Sequence, residues 1–202
     1  MGRHKIIEDD ELLARAREIF TREGDTVSTR ELARQLGVSS AVLFQRFGSK
    51  EELFFAAMTP PMPDMEGLLG IERHDDDECA KLERVAIGLV EYAREFVPML
   101  LALGAHPSFS YEAFKQRYPD APMERVIGRL MSVFEGKRQD GKISCPNVGP
   151  VVLNLVAIAS SLAMYERFGV HDGRFSDNEI RELARVLWHG IDPVRRDEPQ
   201  ER

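Results

Sequence analysis

The sequence predicts an all-α protein: an N-terminal three-helix helix-turn-helix domain followed by a C-terminal helical domain, about nine helices in all. Three observations carry this. Apolar residues recur at helical spacing through most of the 202 residues, with no strand-period segment of useful length. Ser-x-x-Glu capping boxes open three of the helical stretches. The segment STRELARQLGVSSAVLFQRFGSK, residues 28–50, sets two short helical patterns on either side of Leu36-Gly37-Val38-Ser39. That arrangement is a helix-turn-helix, which lays a short second helix in a DNA major groove.

The elements follow in order. Leu12, Leu13, Ala16, Ile19 and Phe20 give a helix over 6–23 its apolar face, and Gly24 stops it. Ser28-x-x-Glu31 opens a second helix near Thr29, with Leu32 and Leu36 inward and Ala33 small where helices cross. Gly37 supplies the left-handed residue that the tight turn needs. A third helix runs from about Ser40 to Phe47, with Leu43 and Phe47 inward. Ser49-x-x-Glu52 opens a fourth, which reaches about Met58. Residues 1–58 therefore form one domain. Pro60, Pro61 and Pro63, two glycines and the run Asp75-Asp76-Asp77 make 59–78 a linker with room for one helical turn. A long helix over 79–104 is bent or ended by Pro98. Helices over about 108–117, 122–139, 150–168 and 176–190 complete the domain 79–202, the last opened by Ser176-x-x-Glu179.

The bulk properties restrict the function. A net charge of −7 excludes a protein coated in nucleic acid. Even residues 1–58 carry nine Lys and Arg against ten Asp and Glu, so DNA binding needs charge placed on one face. Arg30, Arg34, Arg46 and Lys50 are the basic residues of the motif. The spacing of Cys79 and Cys145 fits no metal site and no disulfide framework. The polar N-terminus carries no secretory signal. The apolar run 148–164 is interrupted by Asn154, Ser160 and Ser161 and reads as a buried helix, with no membrane partner. The expected compartment is the bacterial cytoplasm. His74-Asp75-Asp76-Asp77 reads as a solvated loop before a metal site, so neither metal nor cofactor is expected.

Residues 8–58 resemble the DNA-binding domain of the TetR/AcrR family of bacterial transcriptional repressors. The carrying residues are Thr29-Arg30-Glu31-Leu32-Ala33, Leu36-Gly37-Val38-Ser39, Leu43-Phe44-Gln45-Arg46-Phe47 and Ser49-Lys50-Glu51-Glu52-Leu53. The resemblance implies contacts to operator DNA from Ser28, Thr29, Arg30, Ser39, Ser40, Ala41, Phe44, Gln45, Arg46 and Lys50. Each has a physical basis. Ser28 and Thr29 open helix 2, whose first N–H groups bind a phosphate oxygen. Arg30 reaches a phosphate or a guanine edge, and Gln45 pairs with adenine. The short side chains of Ser39, Ser40 and Ala41 let helix 3 approach the bases. Lys50 meets the backbone. The family usually has Tyr at Phe44, His at Arg46 and often Gly at Ala41, so here a charge replaces a phenolic hydroxyl at the phosphate.

In the C-terminal domain the resemblance implies a small-molecule effector and a homodimer. Candidate pocket walls are Phe96, Met99, Leu100, Leu103, Phe109, Phe114, Met131 and Phe134, apolar and Met-containing as a tolerant pocket requires. His106 is a candidate polar contact or a loop residue. Helices 150–168 and 176–190 pair with their copies, the first being apolar nearly all round. The sequence thus describes a repressor released from a palindromic operator by a small, largely apolar ligand. An activator, or a regulator responding through Cys79 or Cys145, stands beside it. A helical enzyme is the third reading, but no nucleophile–base pair, paired carboxylates or phosphate-cradling loop supports catalysis.

Overall fold

The computed structural model describes residues 8–69, 77–118 and 122–191. The described residues form ten helices: α1 (Asp9–Glu23), α2 (Thr29–Leu36), α3 (Ser40–Phe47), α4 (Lys50–Met58), α5 (Met65–Leu69), α6 (Glu78–Ala105), α7 (Tyr111–Arg117), α8 (Pro122–Gln139), α9 (Val148–Phe168) and α10 (Asp177–Ile191). The extra helix is the single turn of α5 inside the expected linker. His74, Asp75 and Asp76, the body of the acidic loop, lie outside the described residues.

Local chemistry sets most boundaries. The hydroxyl oxygens of Ser28, Ser39 and Ser49 accept the N–H of Glu31, Val42 and Glu52, capping α2, α3 and α4. Only one of the three predicted capping boxes closes reciprocally. The Glu179 carboxylate accepts the Ser176 N–H at 2.7 Å while Ser176 Oγ accepts the Glu179 N–H at 3.3 Å. In the other two the glutamate is drawn elsewhere, Glu31 to Arg34 and Glu52 to Arg117. Gly37 adopts φ 72°, ψ 24°, the left-handed turn the sequence called for. Pro98 lies inside α6 and does not end it.

The chain divides into two compact units, and one of the boundaries between them falls at Pro98 within α6. The first joins residues 8–60 with 98–118. In it α1 packs on α2 and α4, and α3 packs on α2 and α4. Leu12, Ala16 and Phe20 of α1 meet Leu32 and Leu36 of α2, Leu43 of α3, and Leu53, Phe54 and Met58 of α4 in one core. Phe20 meets Phe54 edge to face at 5.1 Å. Arg17 donates to the carbonyls of Ala57 (2.8 Å) and Thr59 (3.2 Å), placing a cation at the C-terminus of α4. Met99 and Leu103, at the end of α6, complete this core. Sequence periodicity had assigned 98–118 to the C-terminal domain, because spacing along a helix does not show which core it enters.

The second unit joins residues 61–97 with 122–191. α8 packs on α9. Val126, Leu130 and Phe134 of α8 are buried, as are Val152, Leu155, Ala159 and Leu162 of α9. Arg94 of α6 holds the α9–α10 connection. Its guanidinium donates to Glu166 at 2.9 and 2.7 Å and to the Phe175 carbonyl at 2.9 Å, while Glu166 accepts the Phe175 N–H at 2.8 Å. α9 has 21 residues and by length and composition is apolar enough to cross a membrane. One of its faces is buried in this unit, and Leu153, Tyr165 and Phe168 on the rest are exposed.

Candidate nucleic-acid interface

The packing of α3 determines which of its side chains face solvent. Leu43 is 3% exposed and Phe47 packs against the core, so the opposite face carries Ala41, Phe44 and Gln45. Phe44 is 49% exposed, an unusual placement for a large aromatic in an 8-residue helix. Ser39 is exposed and Ser40 half-buried at the helix start. The Ser28 and Ser39 oxygens accept backbone N–H groups as caps, which leaves each hydroxyl hydrogen able to donate to a phosphate. At the start of α2 the N–H groups of Thr29 and Arg30 have no acceptor within the helix. Helix start, capped serine and short-side-chain face thus coincide on α2 and α3.

The basic residues are less available than their number suggests. The Arg34 guanidinium is forked onto Glu31 at 2.8 and 2.5 Å. Glu31 also accepts from Gln35, and Arg34 first, then Gln35, hold its carboxyl down at about 2. Arg46 pairs with Asp9 of α1 at 3.0 Å. Lys50 turns inward. Its ammonium donates to the carbonyls of Asp25 and Val27, the latter at 3.3 Å, and sits 3.1 Å from the Asp25 carboxylate. It thereby ties the start of α4 to the loop that leads into α2. Arg30 is exposed and has no charged partner among the described residues. Of the four motif cations, three are already paired with carboxylates of the same unit.

His106 was missed as a structural centre. Its ring stacks on Phe54 at 4.9 Å, meets Phe55 edge-on at 5.0 Å and places Nε2 3.1 Å from the Asp25 carboxylate. Its Nδ1 accepts the Ser108 N–H at 3.2 Å. Asp25 therefore receives both Lys50 and His106, from positions 25 and 81 residues away; no sequence pattern connects these three.

The eight residues proposed as pocket walls are not gathered in one cavity. Met99 and Leu103 fill the core of the first unit, and Phe109 and Phe114 pack against it. Phe96 and Phe134 are buried in the second unit, where Met131 is half-buried, and Leu100 is 43% exposed. Cys79 and Cys145 are half-buried and not joined in a disulfide, and the Cys79 thiol meets the Glu83 carboxylate at 3.9 Å. No group of His, Cys, Asp and Glu among the described residues is arranged to hold a metal ion.

A small helical unit with a capped, outward-facing second helix after a left-handed glycine turn defines a DNA-binding protein of the helix-turn-helix class. Residues 12–57 match the family model for bacterial regulatory proteins of the tetR family. An uncharacterized HTH-type transcriptional regulator of Mycobacterium tuberculosis is 25% identical over 195 residues, 93% of this chain and 79% of that protein. Among solved structures, a Mesorhizobium loti protein assigned to the TetR-family regulators superimposes with a TM-score of 0.74 at 17% identity, covering 91% of this chain and 96% of its own. AibR, solved with isovaleryl coenzyme A and operator DNA, gives 0.60 at 19% identity, covering 91% and 97%. Residues 12–57 are thus similar in sequence to the DNA-binding domain of the tetR family, and the described helices share their fold with TetR-family regulators.

Proposed function

We propose that the chain is a homodimeric repressor that binds a near-palindromic operator in the bacterial cytoplasm and is released by a small molecule, with no catalytic activity of its own. The observation that carries the reading is the exposed face of α3. Ala41 allows close approach, Gln45 pairs with an adenine edge, and Phe44 makes apolar contact with a thymine methyl. Ser28, Thr29, Ser39 and Ser40 position the unit on phosphates through hydroxyl and helix-start N–H groups, joined by Arg30 and Arg46. Lys50 serves the interface by fixing the loop before α2.

The dimer forms through α9 and α10. Leu153, Tyr165 and Phe168 on α9 and Val186 on α10, exposed by 54, 48, 59 and 71%, are too many large apolar groups to leave in water. A twofold dimer presents two α3 helices to half-sites roughly 34 Å, or a multiple of it, apart. Release requires an effector that binds the DNA-free arrangement more tightly than the DNA-bound one. α6 contributes residues to both units, so a shift in it is the route we propose between effector and reading helices. AibR, with its acyl-coenzyme A and its operator, is a precedent for the pairing of ligand and DNA on this fold.

The test is a gel-shift titration of the full chain on the DNA upstream of its own gene. The reading expects sequence-specific, salt-sensitive binding that a thiol-blocking reagent leaves unchanged. Equal affinity for unrelated DNA removes it, and loss of binding on thiol blocking favours the cysteine-responsive alternative.

A further inference from the structure

His106 follows the last residue of α6, and its side chain is only 7% exposed. An apolar side chain would also pack between Phe54 and Phe55, which the ring meets at 4.9 and 5.0 Å. What the imidazole adds is two polar contacts, and each acts on a connection between helices. Nδ1 accepts the Ser108 N–H at 3.2 Å, inside the turn in which the Phe109 N–H donates to the His106 carbonyl at 2.9 Å. Ser110, just beyond that turn, caps α7. Nε2 lies 3.1 Å from one oxygen of Asp25, in the α1–α2 connection, and Lys50 Nζ lies 3.1 Å from the other.

These contacts define the charge of the ring. An ionised carboxylate only accepts, so Nε2 carries a hydrogen; Nδ1 accepts, so it carries none. The neutral Nε2–H tautomer satisfies both contacts. A second proton, on Nδ1, would set one donor against the Ser108 N–H. It would also add a positive charge to an Asp25–Lys50 pair that is already balanced. The remaining charged groups nearby are themselves engaged or stand at the surface. Glu23, at the end of α1, binds Arg22 and Gln35, Glu52 of α4 pairs with Arg117 of α7, and Glu51 is exposed.

Asp25 stands three residues before Ser28, the cap of α2, and Val27 between them is buried in the core. A shift of Asp25 is therefore passed along a short connection to Ser28, Thr29 and Arg30. We propose that His106 is a positioning residue for operator binding: its neutral ring holds Asp25, and through it the start of α2, in the phosphate-binding arrangement, and protonation of the ring releases it. The proposal rests on the phosphate role given above to the start of α2 and adds a regulation to it, a loss of affinity on acidification.

Two measurements on the full chain test this, and the first uses no DNA. Nuclear magnetic resonance is recorded between about pH 8 and about pH 5, the range in which histidines change charge. The His106 ring is expected as the Nε2–H tautomer at the upper end, with the amides of Asp25, Val27 and Thr29 shifting as it takes up a proton. The opposite tautomer, a ring that stays neutral throughout, or amides that stay still as it titrates overturns the proposal. The second measurement is fluorescence anisotropy on the upstream DNA with the parent, H106N and H106Q. Asparagine keeps an oxygen for the Ser108 N–H but no group for Asp25, whereas glutamine keeps a donor for Asp25 and takes up no proton. At about pH 8, H106N should bind about tenfold more weakly than the parent, the loss of one hydrogen bond to a charged group, and H106Q like the parent. Towards about pH 5 the parent should fall to the level of H106N while H106Q holds its affinity. A ratio of parent to H106N that is the same at both ends, or H106Q no better than H106N, overturns the role of His106. Should either variant fail to fold by circular dichroism, the resonance titration of the parent decides. A parent that binds no operator overturns the repressor reading, and still amides in the DNA-free titration overturn the role of His106, so the two failures are read separately.

Discussion

Lys50 Nζ sits 3.1 Å from the Asp25 carboxylate and donates to the carbonyls on either side of Thr26. A residue expected at the DNA backbone is thus engaged inside its own domain, where it fixes the entry to α2. The two roles separate experimentally. K50M is expected to lower the stability of the unit by about 1–2 kcal/mol, the value of a charge-assisted hydrogen bond reduced for partial exposure. The slope of log affinity against log salt should then remain as in the parent. A slope smaller by about 1 with unchanged stability would return Lys50 to the phosphate.

Asp9 pairs with Arg46 of α3 at 3.0 Å, so on the proposed interface it would compete with DNA for that cation. Removing that competitor takes one carboxylate partner from Arg46, at the place where the proposed interface needs phosphate binding. D9N is therefore expected to bind the operator several-fold more tightly at low salt, with the gain fading as salt screens it. Anisotropy titrations at two ionic strengths read this directly. Weaker binding in D9N would mean that the ion pair holds Arg46 in its working position.

Gln45 and Arg30 should fail differently. Q45A is expected to cost about 1–3 kcal/mol on the operator and to relax selectivity at one base pair, with little change on random DNA. R30A is expected to weaken operator and random DNA alike and to reduce the salt slope by about 1. Competition gel shifts with single-base operator variants separate the two patterns.

The exposed α9–α10 face predicts the oligomeric state. The parent chain should sediment as a dimer, and the double variant L153E/V186E as a monomer that keeps its helical circular dichroism. A monomeric parent, or a variant that remains dimeric, contradicts the assigned face.

Glu166 gives a pH signature. Hydrogen bonds from Arg94 first, and also from the Phe175 N–H, hold its carboxyl below the usual 4.5. A carboxylate lowered on folding stabilises the fold above its unfolded value and loses that contribution as pH falls through its folded one. The parent should thus lose stability faster than E166Q below pH 4.5, and the two melting curves should converge there. Parallel curves would show that the ion pair adds no pH-dependent stability.

What the sequence made legible was local. Ser28, Ser39 and Ser49 reveal their helix starts because a cap acts over three residues, and the apolar run of α1 reveals its buried face because periodicity is local too. Gly37 was readable because the turn leaves few alternatives to glycine. The missed features join distant positions: Lys50 and His106 meeting on Asp25, Met99 and Leu103 entering the first core, Arg94 reaching Glu166 across 72 residues.

The central claim is that α3 reads a specific operator. Fluorescence anisotropy of the full chain on its own upstream DNA, with unrelated DNA as competitor, tests it most directly. The account predicts saturable binding that survives a large excess of competitor and is lost in Q45A. Binding that unrelated DNA abolishes at equal concentration, or that Q45A leaves intact in strength and selectivity, would contradict it.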